Sequence, residues 1–253
     1  MADMVAFGPH RMGLSLELLR VLTAGDTVGL AELLRREKQT NGQVAITVQA
    51  AVAPGAVPPP PPPGTSCLHG VTSNGNTALH LVASRGHAEL AALICDRAPS
   101  LVATRNKCLH TPLYCAAKSG SRDVAASILA TMRTTGADAQ MALRARNWTG
   151  ATALYEAVRH GHTRVVDLLM KEAPELASLA TDGGFSPLYL AASINSLQMV
   201  QSLLRPSQDG TQSPASFSGP KGRTALHVAA ASIQGTNIYW YLNLISNKFC
   251  FLV

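Results

Sequence analysis

Apolar residues recur along this chain at helical spacing. Leu90, Leu93 and Ile94, then Val124, Ile128 and Leu129, then Val165, Val166, Leu168 and Leu169, and finally Met199, Val200, Leu203 and Leu204 form short stripes, spaced to line one face of an α-helix. Ahead of each stripe stands a residue that accepts left-handed backbone: Gly86, Gly120, Gly161 and Asn195. Such residues end helices. Before each of those turns lies a second short apolar stretch that opens on threonine or serine, whose hydroxyl caps the free amides of a helix start. The pattern predicts pairs of short helices, an inner and an outer one, joined by tight turns. It reaches the N-terminus, where Leu16, Leu18, Leu19 and Leu22 precede Gly25 and then Leu30, Leu33 and Leu34, so residues 12–38 read as a degenerate first pair.

The openings of the inner helices repeat as tetrapeptides. They are Thr77-Ala78-Leu79-His80, Thr111-Pro112-Leu113-Tyr114, Thr152-Ala153-Leu154-Tyr155, Ser186-Pro187-Leu188-Tyr189 and Thr224-Ala225-Leu226-His227, spaced by 34, 41, 34 and 38 residues. A period near 34 with two short insertions lies close to the ankyrin period of about 33. On these motifs, residues 71–234 resemble the ankyrin-repeat family. The resemblance implies an all-α solenoid of stacked helix-turn-helix units with projecting fingers, each unit stable only in the stack. In it Pro112 and Pro187 occupy helix starts, where a missing N–H costs nothing, and Leu79, Leu113, Leu154, Leu188 and Leu226 enter the core. Ala98-Pro99-Ser100-Leu101 and Ala173-Pro174-Glu175-Leu176, each after an outer helix, further resemble plant ankyrin proteins of the accelerated-cell-death type. In that family an ankyrin region precedes several transmembrane helices, and the proteins act in defence and cell-death signalling. This chain is expected to lack the membrane region, because the array stops inside its fifth full repeat.

Four segments follow: a degenerate ankyrin-like helix pair over 1–40, a proline-rich linker over 41–70, the array over 71–234 and an atypical tail over 235–253. The linker carries Pro54 and the run Pro58 to Pro63 without helical periodicity, which predicts a disordered or polyproline-like spacer. No flanking basic PxxP arrangement marks the run as a ligand for proline-binding modules. In the fifth unit Ile233 stands where the turn glycine is expected, and a β-branched residue resists left-handed backbone. Five of the 12 aromatic residues crowd into the last 15 positions. Two readings fit that tail: a variant or truncated gene product, or a substitute outer helix using Ile238, Tyr241, Leu242 and Ile245.

Composition changes the picture only modestly. Charged residues make up 14% of the 253 and aromatics 5%, in keeping with closely packed small helices rather than a β-sandwich. Cys67, Cys95, Cys108, Cys115 and Cys250 form no CxxC pair, so reduced intracellular thiols are expected and a zinc knuckle is not. Neither a secretory signal nor an apolar run of 18 residues is visible, which favours a cytoplasmic protein, although the full-length relatives are membrane-associated. The Asn147-Trp148-Thr149 sequon then reads as accidental. GxxxxGK[ST], HExxH and GxSxG are missing too, so no enzymatic activity, cofactor or metal is expected. His80 and His227, at the fourth tetrapeptide position, read as backbone-bonding residues between repeats.

The remaining signal is charge. Lys and Arg number 21 against 15 Asp and Glu, and the basic residues fall where the resemblance places the concave binding face. Arg105 and Lys107, Arg144 and Arg146, and Lys221 and Arg223 lie on fingers; Arg85, Lys118, Arg159 and His160 lie near inner-helix ends. Glu156 interrupts them, while Glu89, Asp123 and Asp167 belong to outer helices. Trp148, on the third finger, is either an interface anchor or a cover for the core. The face is accordingly either an ordinary solvated surface or a recognition patch made of Arg85, Arg105, Lys107, Lys118, Arg144, Arg146, Trp148, Arg159 and His160. The leading function is a non-catalytic protein-interaction module of a signalling or regulatory complex, with an acidic protein partner. The alternative is the truncated cytosolic portion of a plant ankyrin-transmembrane defence protein. Nucleic-acid binding rests only on a pI of 9.3, without a recognised module.

Overall fold

A computed structural model of the chain describes residues 13–44, 66–136, 141–206 and 211–232. The helix pairs begin with α1 (Leu16–Ala24) and α2 (Thr27–Val44), followed by α3 (Ala78–Arg85) and α4 (Ala88–Arg97). Next come α5 (Pro112–Ser119) with α6 (Arg122–Thr135), α7 (Ala153–Arg159) with α8 (Thr163–Glu172), and α9 (Pro187–Ser193) with α10 (Leu197–Leu204). Helix α11 (Ala225–Ser232) is the last described element. Inner helices α1, α3, α5, α7, α9 and α11 stack side by side, and outer helices α4, α6, α8 and α10 stack behind them. The fold is the all-α solenoid expected.

Local chemistry explains each pair. Thr111, Thr152 and Ser186 have extended backbone, and their hydroxyls accept from the amides of Tyr114, Tyr155 and Tyr189 at 3.2, 3.3 and 3.1 Å. Pro112 and Pro187 open their helices. Gly25, Gly86, Gly120 and Gly161 turn with φ of 77, 79, 76 and 80°, and Asn195 takes their place at 54°. The apolar stripes then close the core: Leu90, Ile94, Val124, Ile128, Val165, Val166, Leu169 and Leu203 are fully buried.

Two expectations need correction. Leu79, Leu113, Leu154 and Leu188 are buried as foreseen, but Leu226 is only half-buried. The other four are covered by the inner helix of the following repeat, and among the described residues no helix follows α11. Second, the ends of the 41–70 segment are structured: α2 runs to Val44, and Ser66 caps a 3-10 turn, Cys67–His69, whose Leu68 is fully buried. Glu37 on α2 accepts from the Cys67 amide at 2.5 Å, which ties this turn to the first pair. The proline run, Ile233, Cys250 and the aromatic tail lie outside the described residues.

Candidate functional site

Each of the first four fingers is a five-residue loop closed by its own first residue. Thr72, Asn106, Asn147 and Thr181 stand five residues before the helix-capping Thr or Ser. Their side-chain oxygens accept from the amides of Asn76, His110, Ala151 and Phe185, at 3.2, 2.9, 2.9 and 3.1 Å. In every case the two backbones pair in return. Adjacent fingers are tied tip to tip, the Lys107 amide donating to Asn74 O and the Asp182 amide to Thr149 O, both at 3.0 Å. Successive fingers therefore form one continuous edge.

In the first two tetrapeptides the fourth residue ties its helix to the next finger. His80 Nδ1 accepts from the Thr77 amide at 3.2 Å, which leaves Nε2–H to donate to His110 O at 2.9 Å. This is the inter-repeat role expected of His80. Tyr114 performs it with different chemistry, its hydroxyl accepting from Asn147 Nδ2 at 3.0 Å while its ring stacks on His110 with centroids 4.1 Å apart. Burial, with the Glu156 carboxylate nearby, holds the Tyr114 hydroxyl well above its ordinary pKa; burial raises that of Tyr155 and lowers that of His110. At the last inner helix His227 Nδ1 accepts from the Thr224 amide at 3.2 Å, but its ring is exposed.

Apart from Trp148, the nine residues assigned to the concave face divide into two groups. Arg144 reaches Glu175 at 3.4 Å, and Arg146 reaches Asp182 at 3.2 Å while donating to the carbonyls of Gly150 and Ala180. Arg159 approaches Glu156 at 3.9 Å, and His160 Nε2 lies 3.0 Å from Glu156 Oε1. Glu156 itself is 2% exposed, so it neutralises its neighbours from beneath rather than presenting charge to solvent. Arg85, Arg105, Lys107 and Lys118 are exposed, and no described carboxylate pairs with them. Trp148 does not cover the core: it is 71% exposed, with its indole N–H donating to Lys107 O at 3.1 Å.

Sequence reasoning overlooked the finger-closing residues and the pairing of Arg144 and Arg146. Both carry a signal in the repeat arithmetic. The finger residues share one offset from the tetrapeptide, and Glu175 and Asp182 lie 31 and 36 residues beyond their partners, about one repeat away. Among the four described cysteines, Cys108 is exposed, Cys67 and Cys115 are half-buried and Cys95 is buried. Desolvation pushes the Cys115 thiol up to about 12. Among the described residues no group of acidic, histidine or cysteine side chains is arranged to hold a metal ion, and no helix is long and apolar enough to cross a membrane.

Known proteins agree with this geometry. The family model for ankyrin repeats in three copies matches residues 63–142, 110–179 and 128–214. The ankyrin repeat-containing protein At5g02620 of Arabidopsis thaliana is similar at 32% identity over 95 residues, which is 37% of this chain and 18% of that protein. The chain thus matches less than a fifth of that curated relative's length. The crystal structure of the ankyrin repeat protein EF0377 superposes with a TM-score of 0.59 at 22% identity, covering 85% of this chain and 91% of the other; this likeness shows the fold alone.

Proposed function

We propose that this chain, which belongs to the ankyrin-repeat family, is a non-catalytic interaction module of a signalling or regulatory complex, binding a protein partner through its concave face. One observation carries the reading. Fingers and inner helices are locked repeat to repeat by backbone and side-chain hydrogen bonds, yet the surface they form leaves Arg85, Arg105, Lys107, Lys118 and Trp148 exposed. A preorganised surface with unspent charge and an exposed tryptophan suits recognition, because little ordering entropy is lost on binding. The test compares two variants in affinity capture and then in direct binding to the captured partner. Lys118→Glu with Trp148→Ala alters the concave face, and Arg164→Glu with Lys171→Glu alters exposed positions of the outer helix α8. The concave variant should weaken binding by about tenfold or more, and the outer variant should not. The reverse result would reject the concave face.

The Arabidopsis match favours a second reading. There the matched 95 residues are 18% of the protein, so an array of this kind would serve as the partner-binding portion of a larger plant signalling protein, of the ankyrin-transmembrane defence type. Transcript sequencing across the 3′ end tests this: an open frame continuing into hydrophobic spans supports it, and a stop after Val253 in every transcript counts against it.

A further inference from the structure

Finger two carries a leucine at a position where the other fingers carry glycine. Two residues before the helix cap, the chain turns left-handed at Gly75, Gly150, Gly184 and Gly222, with φ of 76, 73, 79 and 73°. Finger two makes the same turn at Leu109, with φ of 60°. Bulky L-residues rarely occupy this region, which crowds Cβ against the following carbonyl. Nothing in the fold asks for a leucine, since glycine closes the other loops. Nor is Leu109 among the side chains packed on the core; it is half-buried on the finger. A strained residue that neither the loop nor the core requires is a mark of function.

Charge singles out the same place. Residues 71–87 and 103–121, which form the first two fingers with α3 and α5, contain Arg85, Arg105, Lys107 and Lys118 and no Asp or Glu. Arg105 and Lys107 stand on the finger edge, whereas Arg85 and Lys118 stand near the far ends of inner helices of 8 residues each. At a rise of about 1.5 Å per residue, these two rims lie on the order of 12 Å apart, room for one extended segment between them. One repeat further on the charge is paired, because Arg144, Arg146 and Arg159 face Glu175, Asp182 and Glu156, and exposed finger cations return only at Lys221 and Arg223, three fingers beyond finger two. A nucleic-acid backbone, charged every few ångströms, wants a longer cationic track. At the boundary, Trp148 leans on the Lys107 carbonyl with most of its ring exposed.

We propose that finger two, with α3 and α5, is a docking subsite for an acidic protein segment that carries an apolar side chain. Arg85, Arg105, Lys107 and Lys118 face its carboxylates from both rims, and Leu109 and Trp148 receive the apolar side chain. The proposal rests on the concave-face reading above and narrows it to the first half of the groove.

The full chain carrying Trp240→Phe tests it, since Trp148 is then the sole tryptophan of the two and its fluorescence reports binding. The probes are a peptide of about ten Asp and Glu residues with one central Leu, its Asn/Gln counterpart, and a single-stranded DNA of equal charge. The acidic peptide should bind at low salt and weaken as salt rises. Leu109→Gly should lower its affinity about threefold or more while making the protein more resistant to denaturant, opposite movements that a merely structural leucine would not produce. Reversing Arg85, Arg105, Lys107 and Lys118 to Glu should abolish binding, whereas Arg144→Gln with Arg146→Gln should change it less than about twofold. The proposal is overturned if Leu109→Gly binds as tightly as the parent or is less stable than it, if the amide peptide binds equally, or if the DNA binds more tightly. If the four-charge reversal still binds a partner that the concave variant has lost, the acidic subsite fails while the concave face stands.

Discussion

At the scale of single residues, the array is held by side chains that serve two neighbours at once. Asn147 donates to the Tyr114 hydroxyl, and its carbonyl oxygen accepts from the amides of Thr149 and Ala151. That full occupancy explains the sequon: the asparagine closes a finger. Asn147→Ala removes these three bonds, leaves the part-buried Ala151 amide without its side-chain acceptor, and should cost about 1–3 kcal/mol, read as a lower urea midpoint with unchanged helicity. The thiols give a second expectation. Cys108 is exposed, so among the four described cysteines it should be the first alkylated at neutral pH. Cys115 has a folded-state pKa pushed from 9.0 to about 12 by desolvation. A raised acid pKa means the folded state prefers the protonated thiol. Its contribution to stability is therefore complete below pH 9.0 and is lost as pH rises toward about 12. Thermal unfolding followed across that range should fall less steeply in Cys115→Ala than in the parent. Exposure of this kind was only partly legible in the sequence. The tetrapeptides located the capping hydroxyls of α5, α7 and α9, but whether a helix-borne cysteine or glutamate is buried depends on the neighbouring repeat, as Glu156 shows.

At the scale of helices and turns, the reading from sequence was closest to the structure, because turn chemistry is local. Gly25 was expected to match Gly86 and does, and Asn195 takes the left-handed turn that its short polar side chain tolerates. Helix length was less legible. Proline begins the 3-10 turns Pro99–Ala103 and Pro174–Ser178, just beyond α4 and α8, so each of these helices ends after 10 residues. No proline halts α6, which continues for 14 residues and carries Arg133 to within 3.0 Å of Glu172 on α8. The 41-residue spacing announced an insertion but not that the helix would absorb part of it. The turns themselves are tightly constrained. A Cβ at Gly120 would lie 2.5 Å from His162 Nδ1, on backbone with φ of 76°. His162 Nε2 also pairs with Lys118 O at 3.0 Å, so the ring cannot move without breaking that tie. Gly120→Ala should therefore cost at least the 1–2 kcal/mol, roughly, of left-handed backbone, measured by chemical denaturation, and Asn195→Gly should not destabilise.

At the scale of the molecule, a stacked array distributes stability through interfaces between neighbours rather than through one central core. The carboxylate partners of Arg144 and Arg146 belong to the following repeat, and pairs this exposed contribute only about 0–1 kcal/mol. They were illegible from charge counting because their partners are neighbours only in the stack. Apolar contact between consecutive inner helices carries far more. Leu154 on α7 is fully buried between α5 and α9, whereas Leu226 on α11 has a described neighbour on one side, α9, and stays half-buried. The two leucines hold the same tetrapeptide position, so truncating them separates residue type from place in the stack. Leu154→Ala opens a cavity closed on both sides and should cost about 2–5 kcal/mol. Leu226→Ala removes surface that is already partly wet and should cost well under half as much. Hydrogen exchange distinguishes the two further. Loss of Leu154 should raise exchange in α5, α7 and α9 together, because each interface depends on the next, while loss of Leu226 should raise it in α11 and α9 and leave α3 protected. Equal losses for the two variants would mean that the array unfolds as one indivisible unit, without the nearest-neighbour energetics that a solenoid implies.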